Sequence, residues 1–282
     1  TRDRIKGDVS VHDGMVYVGS YDRHLYAYDA KSGDSVWTFP KPAKVELDVS
    51  SFEVSDEEGD SAEAPAADAQ PDEAVVEPVM VAEKPEPEAK ALEVGAFSYS
   101  SPSVANGVLY VGNMDHRLYA IDAKTGEMRW RFKTDAPVTS SPLIAGDILY
   151  FGSNDGNVYA LDVKSLRVLW KTRTQDWVNS SPRIEGEQLF IGANDRRVYS
   201  LDAKTGAGKW SFSTKGPAIA IPVVYKELLF AAGGSGDGFV YGLQKNSGRL
   251  HWKFRTQDKI ESDPVIHNKR LFVSSADGHL YA

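Results

Sequence analysis

The chain has 282 residues, 41% apolar and 11% aromatic, with no Cys and a formal net charge of −8. Lack of Cys excludes disulfides, thiolate metal sites and cysteine nucleophiles, and no apolar run is long enough to cross a bilayer as a helix. The charge is unevenly placed: Lys44 to Glu93 holds 16 acidic residues and 3 Lys, net −13, which leaves the remainder at +5, too thinly spread to form a nucleic-acid-binding stripe.

Taken in order, the chain repeats one pattern. Each unit opens on a Ser-Ser-Pro-apolar segment (Ser100–Ser101–Pro102, Ser140–Ser141–Pro142, Ser180–Ser181–Pro182), replaced by Ile221–Pro222 and Asp263–Pro264 further on and by Asp8–Val9 at the start. A short turn follows, at Asn106–Gly107, Ala145–Gly146, Glu185–Gly186 or Asn268–Lys269, and then an apolar run such as VLYVG ending at Gly112 or ILYFG ending at Gly152. Next comes a tight turn around Asp22, Asp115, Asp155, Asp195, Asp237 or Asp277. The last part is a hairpin: YAYDAKSGDSVW (Tyr26–Trp37), LYAIDAKTGEMRW (Leu118–Trp130), YALDVKSLRVLW (Tyr159–Trp170), YSLDAKTGAGKW (Tyr199–Trp210) and YGLQKNSGRLHW (Tyr241–Trp252).

Short runs of Val, Ile, Leu, Tyr and Phe bounded by Gly, Asn and Asp read as strands. Four such runs per unit of about 40 residues are the pattern of a propeller blade. The expected fold is therefore all-β, a propeller of four-stranded antiparallel blades with six blade starts visible. Residues 1–43 form the first blade, 44–93 an acidic Pro/Ala/Glu-rich insert, and 94–282 blades two to six, the last lacking its outer strand. The insert composition cannot offset its ordering entropy and reads as disordered, with Val45–Phe52 as a candidate short strand. Thr1–Ile5 aligns with Thr256–Ile260, so the chain is expected to be part of a longer protein of seven or eight blades, with any targeting signal outside it.

One Trp recurs per blade at a fixed offset from a Gly: Trp37, Trp130, Trp170, Trp210 and Trp252 with Gly33, Gly126, Gly206 and Gly248. A buried Trp removes about 150–250 Å² from water, and a Gly peptide lets an indole lie flat on it, so these residues are expected to dock neighbouring blades. The third blade carries Leu166 at the Gly position, which is expected to weaken its docking.

AIDAKTGEMRW, ALDVKSLRVLW and SLDAKTGAGKW resemble the tryptophan-docking motif of the quinoprotein-type (PQQ-like) β-propeller repeat, and the resemblance covers nearly all of the chain outside the insert. It is closest in character to the barrel-assembly lipoproteins of the BamB type. That implies a non-catalytic scaffold for protein–protein interaction, a periplasmic location with tethering through a segment outside this chain, and the outer-membrane barrel-assembly machinery as partner. Two other readings share the repeat: a quinoprotein dehydrogenase fragment using PQQ and Ca²⁺, and the ligand-sensing domain of a larger bacterial signalling protein.

The residues favour the first reading. The repeated Asp residues sit where Asp accepts backbone N–H groups in turns. His12, His24, His116, His251, His267 and His279 show no ligand-like spacing. Gly233 to Gly238 is an enlarged turn with no helix after it, unlike a phosphate loop. No catalytic, cofactor or metal residue is assigned and no cofactor is expected. Two features read as a partner surface: Trp177, outside the docking register on a blade-to-blade connection, and the turn residues Arg23, His24, His116, Arg117, Arg196 and Arg197. In propeller geometry these turns share a face with the connections, so the acidic insert is expected to compete there with an acidic partner.

Overall fold

A computed structural model describes residues 1, 3–41, 94–97, 99–260 and 262–282; the acidic insert at 44–93 and the candidate strand Val45–Phe52 lie outside them. Among the described residues every regular element is a strand, arranged in five four-stranded and one three-stranded antiparallel sheets. Blade 1 consists of Ser10–His12, Met15–Gly19, Leu25–Asp29 and Ser35–Phe39, hydrogen-bonded in chain order. Blades 2 to 5 repeat this order within 103–133, 143–173, 183–213 and 223–255. Blade 6 has Val265–His267, Arg270–Ser274 and Leu280–Tyr281. The fold is a β-propeller.

Turn chemistry sets the first hairpin of each blade. Asp13–Gly14, Asn106–Gly107 and Asn268–Lys269 have positive φ at both positions, the two-residue loop whose twist matches the flanking strands. In blades 3 and 4 the tips are Gly146–Asp147 and Gly186–Glu187, one residue later than the sequence suggested, because Ala145 pairs with Ile148 and Glu185 with Gln188.

Each docking Trp faces a small residue on the neighbouring strand: Ala27, Ala120, Ala160, Ser200 and Gly242 oppose Trp37, Trp130, Trp170, Trp210 and Trp252. The register slips by one residue immediately beyond every one of these pairs. Such a bulge bends the outer strand and re-aims its side chain, and the indole is carried over the small residue towards the next blade. The first strands of adjacent blades approach one another at the centre. Five apolar cores lie between successive blades, from Tyr17, Leu25 and Tyr119 between blades 1 and 2 to Val240, Ile260 and Val273 between blades 5 and 6. Stability is thus built from nearest-neighbour interfaces, as in other repeat architectures.

Candidate functional site

Much of the side-chain chemistry singled out in the sequence holds blades together. Trp37 and Trp170 donate Nε1–H to the carbonyl oxygens of Ala123 and Ala203 at 3.0 and 3.1 Å, and Trp210 to that of Lys245 at 2.9 Å. The indoles lie on Gly126, Gly206 and Gly248, where an added Cβ would stand 2.6–2.7 Å from ring carbons. All three glycines have φ near +70°, so both the close approach and the backbone require Gly. At the third blade the expected weakening is not seen in the packing. Trp130 is as buried as Trp37, because Leu166 adopts a φ of 60° and joins the same apolar cluster. Among the described residues none comes within 4 Å of the Gly33 Cβ position, and Trp252 is half-buried against blade 6.

The repeated Asp of the second turn is a staple between blades. The Tyr four residues later donates its hydroxyl to it in all six blades: Tyr26 to Asp22 at 2.7 Å, Tyr119 to Asp115 at 2.5 Å, Tyr159 to Asp155 at 2.7 Å, Tyr199 to Asp195, Tyr241 to Asp237 and Tyr281 to Asp277. Asp155, Asp195, Asp237 and Asp277 also accept the N–H of Asp135, Gln175, Lys215 and Gln257 from the preceding blade. Burial, reinforced by the carboxylate, pushes Tyr119, Tyr159, Tyr199 and Tyr241 well above the usual phenol range. The hairpin Asp is a turn former: Asp122 accepts from Lys124 N at 3.0 Å and Thr125 N at 2.9 Å. The Arg129 guanidinium, 2.7 Å away, leads in holding its pKa at about 2.

The second turns do share a face with the connections. Met114, Asn154, Asn194 and Gly234 donate N–H to the carbonyls of Ala96, Pro137, Trp177 and Pro217. On this face Arg23, His116 and Arg196 are exposed at the turn tips with φ of 69°, 65° and 65°, where blades 3 and 6 have Gly156 and Gly278 at 83°. Positive φ costs a non-Gly residue about 1 kcal/mol or more. His24, Arg117 and Arg197 follow, half-buried; Arg117 donates to the Asp115 carbonyl at 3.1 Å and Arg197 to Ser211 Oγ at 3.1 Å. Asp155 Oδ1 accepts from Asn157, whereas the buried Oδ1 atoms of Asp115 and Asp195 have no partner beside Arg117 and Arg197. The turns under His116 and Arg196 are thus less well satisfied than the blade 3 turn between them, whereas in blade 1 Asp22 Oδ1 accepts from His24 N at 3.1 Å. Spacing alone does not show this, although a basic residue where sister repeats use Gly is a signal present in the sequence.

Trp177 is 52% exposed on the same face, at the mouth of a central cavity of about 850 Å³ lined by all six blades. The second Ser of each Ser-Ser-Pro segment ties the cavity wall together. Asp8 N donates to Ser101 Oγ at 2.9 Å, Ser101 N to Ser141 Oγ at 2.8 Å and Ser141 N to Ser181 Oγ at 2.8 Å. Ile221 N continues the ring to Asp263 Oδ1 at 2.7 Å. At the rim Lys6 Nζ lies 3.4 Å from Tyr99 OH and 5.0 Å from its ring centroid. Hydrogen bonding from Tyr21 and then Lys6 lowers the Tyr99 phenol below its ordinary range.

The family model of the outer membrane protein assembly factor BamB matches residues 1–68, 82–176, 146–238 and 216–282. No curated protein matches the chain. Among solved structures, BamB from Moraxella catarrhalis aligns with a TM-score of 0.60 at 19% identity, over 99% of this chain and 83% of that one. The computationally designed Ika8 protein aligns with a TM-score of 0.69 at 13% identity, over 99% and 70%. A chain of the mitotic checkpoint complex aligns with a TM-score of 0.66 at 16% identity, over 96% and 70%. At these identities the structural likeness is one of fold.

Proposed function

The chain belongs to the family of the outer membrane protein assembly factor BamB, and from that premise we propose that it is a non-catalytic scaffold binding a protein partner in outer-membrane protein assembly, in the periplasm. The binding surface is the connection face, with Arg23, His24, His116, Arg117, Arg196 and Arg197 as its basic part and Trp177 as its inner aromatic anchor. The observation that carries this reading is the positive φ of Arg23, His116 and Arg196. A turn that only connects strands is better served by Gly, as at Gly156 and Gly278. Basic residues held there against a backbone cost fit a surface selected for contact.

The partner presents acidic groups, and the insert at 44–93, with its net charge of −13, competes for the same basic residues. The test is capture of outer-membrane barrel-assembly components from a membrane extract, with the chain intact and with 44–93 deleted. Stronger capture by the deletion, falling steeply with salt, supports the reading. Equal capture with the same salt dependence removes the competition, and capture of no such component by either form removes the assembly role.

A further inference from the structure

The cavity at the centre of the blades is a second, chemically different surface. Among the described residues that line it, the one lysine, Lys6, and the two carboxylates, Asp8 and Asp263, sit on the side formed by blades 1 and 6. Asp263 keeps contact with solvent, yet loss of surrounding water, with a smaller contribution from Asp8, raises its carboxyl above the usual range. The opposite side, from blades 2 to 4, carries neutral hydroxyl and amide groups.

Those groups have hydrogen-bonding capacity left over. Ser101, Ser141 and Ser181 each accept a backbone N–H through Oγ, and an accepting hydroxyl keeps its proton to donate. Thr139 Oγ1 lies 2.8 Å from Asn154 Oδ1 and 3.1 Å from Asn179 Oδ1. One hydroxyl has one proton, so it serves one of these oxygens and leaves the other needing a donor. Turning either amide over gives Thr139 a donated N–H and directs that residue's carbonyl oxygen elsewhere, so an acceptor still remains. The wall therefore offers donors and an acceptor together, without net charge. Above it stand two exposed aromatic rings, Tyr99 at 46% and Trp177 at 52% exposure.

We propose that this cavity binds a neutral saccharide, its ring faces stacked on Trp177 and its hydroxyls exchanged with the Ser101–Ser141–Ser181 and Thr139–Asn154–Asn179 groups. A sugar hydroxyl both donates and accepts, as this wall requires, and the C–H face of a pyranose suits an exposed indole. An anionic ligand meets Asp8 and Asp263 in the same cavity, and an apolar one leaves the hydroxyls unpaired. The volume, about 850 Å³, lies within the range of small-molecule sites. This inference shares Trp177 with the proposed partner surface, but its other groups belong to the cavity wall and it needs no other protein to be tested.

The experiment is isothermal titration of the whole chain with soluble tetrasaccharides of glucose in β-1,4 and α-1,4 linkage and of N-acetylglucosamine in β-1,4 linkage. At least one is expected to bind saturably. Trp177→Ala should weaken that binding by about tenfold, from the loss of aromatic stacking. Asn179→Ala and Thr139→Val should each weaken it by about three- to tenfold. Trp177 is exposed, so its variant should keep the parent melting temperature, and Thr139→Val is close in shape should Asn179→Ala disturb the wall. No saturable heat from any of the three sugars up to about 10 mM, a free energy too small for a specific site, overturns the proposal. Binding that survives all three substitutions unchanged overturns it as well, since the sugar would then sit elsewhere.

Discussion

Gly126 and Gly33 hold the same place in neighbouring repeats and the same left-handed backbone, with φ of 71° and 77°, but their surroundings differ completely. Gly126 lies under the Trp37 indole, whereas Gly33 has open space above it. The same contrast runs through the molecule. The interfaces between blades 1 and 4 enclose Trp37, Trp130 and Trp170 at 7–8% exposure. The outward faces of the end blades leave Val11 64% and Leu280 69% exposed. The repeat sequence alone therefore confers little stability; the pairing of one blade's Trp with the next blade's turn supplies it.

The largest expected effect tests that contrast directly. Gly126→Ala places a methyl 2.7 Å from Trp37 Cδ2 and should destabilise the chain by about 3 kcal/mol, from overpacking added to backbone strain. Gly33→Ala meets only the strain and should cost about 1 kcal/mol. Denaturant melts of both variants check the pair, and equal losses would break the comparison.

A second pair concerns the Asp–Tyr staple. Asp155→Ala strands the buried Tyr159 hydroxyl and the Asp135 N–H and should cost about 2–4 kcal/mol. Asp277→Ala, on blade 6 where Tyr281 is less enclosed, should cost about 1 kcal/mol. The same staple fixes the alkaline limit. A phenol whose folded pKa is raised contributes stability that is fully present below its unfolded pKa, near about 10, and lost as pH rises through the folded value. Spectroscopic titration should therefore show the enclosed tyrosines ionising only together with unfolding above about pH 10.

The acid limit has the opposite sign. Asp122 is depressed to about 2, first by Arg129. Its contribution is present above the unfolded pKa, near about 4, and is lost as pH falls through about 2. Melting points taken from pH 5 to 2 should fall for the parent and fall less for Asp122→Asn, measured relative to each protein's own value at about pH 5.

The parts legible in the sequence are those set by local chemistry at a repeated offset. The strand order, the hairpin tips at Asn106–Gly107 and Asn268–Lys269, and the Trp-to-Gly spacing follow from turn preference and side-chain size. The Asp–Tyr staple was equally legible as an Asp followed four residues on by Tyr in every repeat, yet each Asp by itself reads as a turn former. Other features depend on neighbours that sequence does not place. Ser101 and Ser141 are 40 residues apart and meet only because consecutive blades bring their first strands together. Leu166 was expected to loosen its interface because it replaces a Gly, but burial of its side chain beside Trp130 offsets the missing flat contact. Arg23, His116 and Arg196 stand out in the sequence as basic turn residues, but their left-handed backbone is seen only in the structure, beside Gly156 and Gly278.

The smallest stability effect bears most directly on function. Replacing Arg23, His116 and Arg196 together by Gly should raise the chain's stability by about 0.5–1 kcal/mol per site, through relief of left-handed strain. Melting of this triple variant, followed by its capture of barrel-assembly components from a membrane extract, is the measurement that matters most. The triple variant should melt higher and recover little or none of the partner recovered by the parent. A variant that melts higher and recovers the partner undiminished would show that these three basic residues are not part of the binding face.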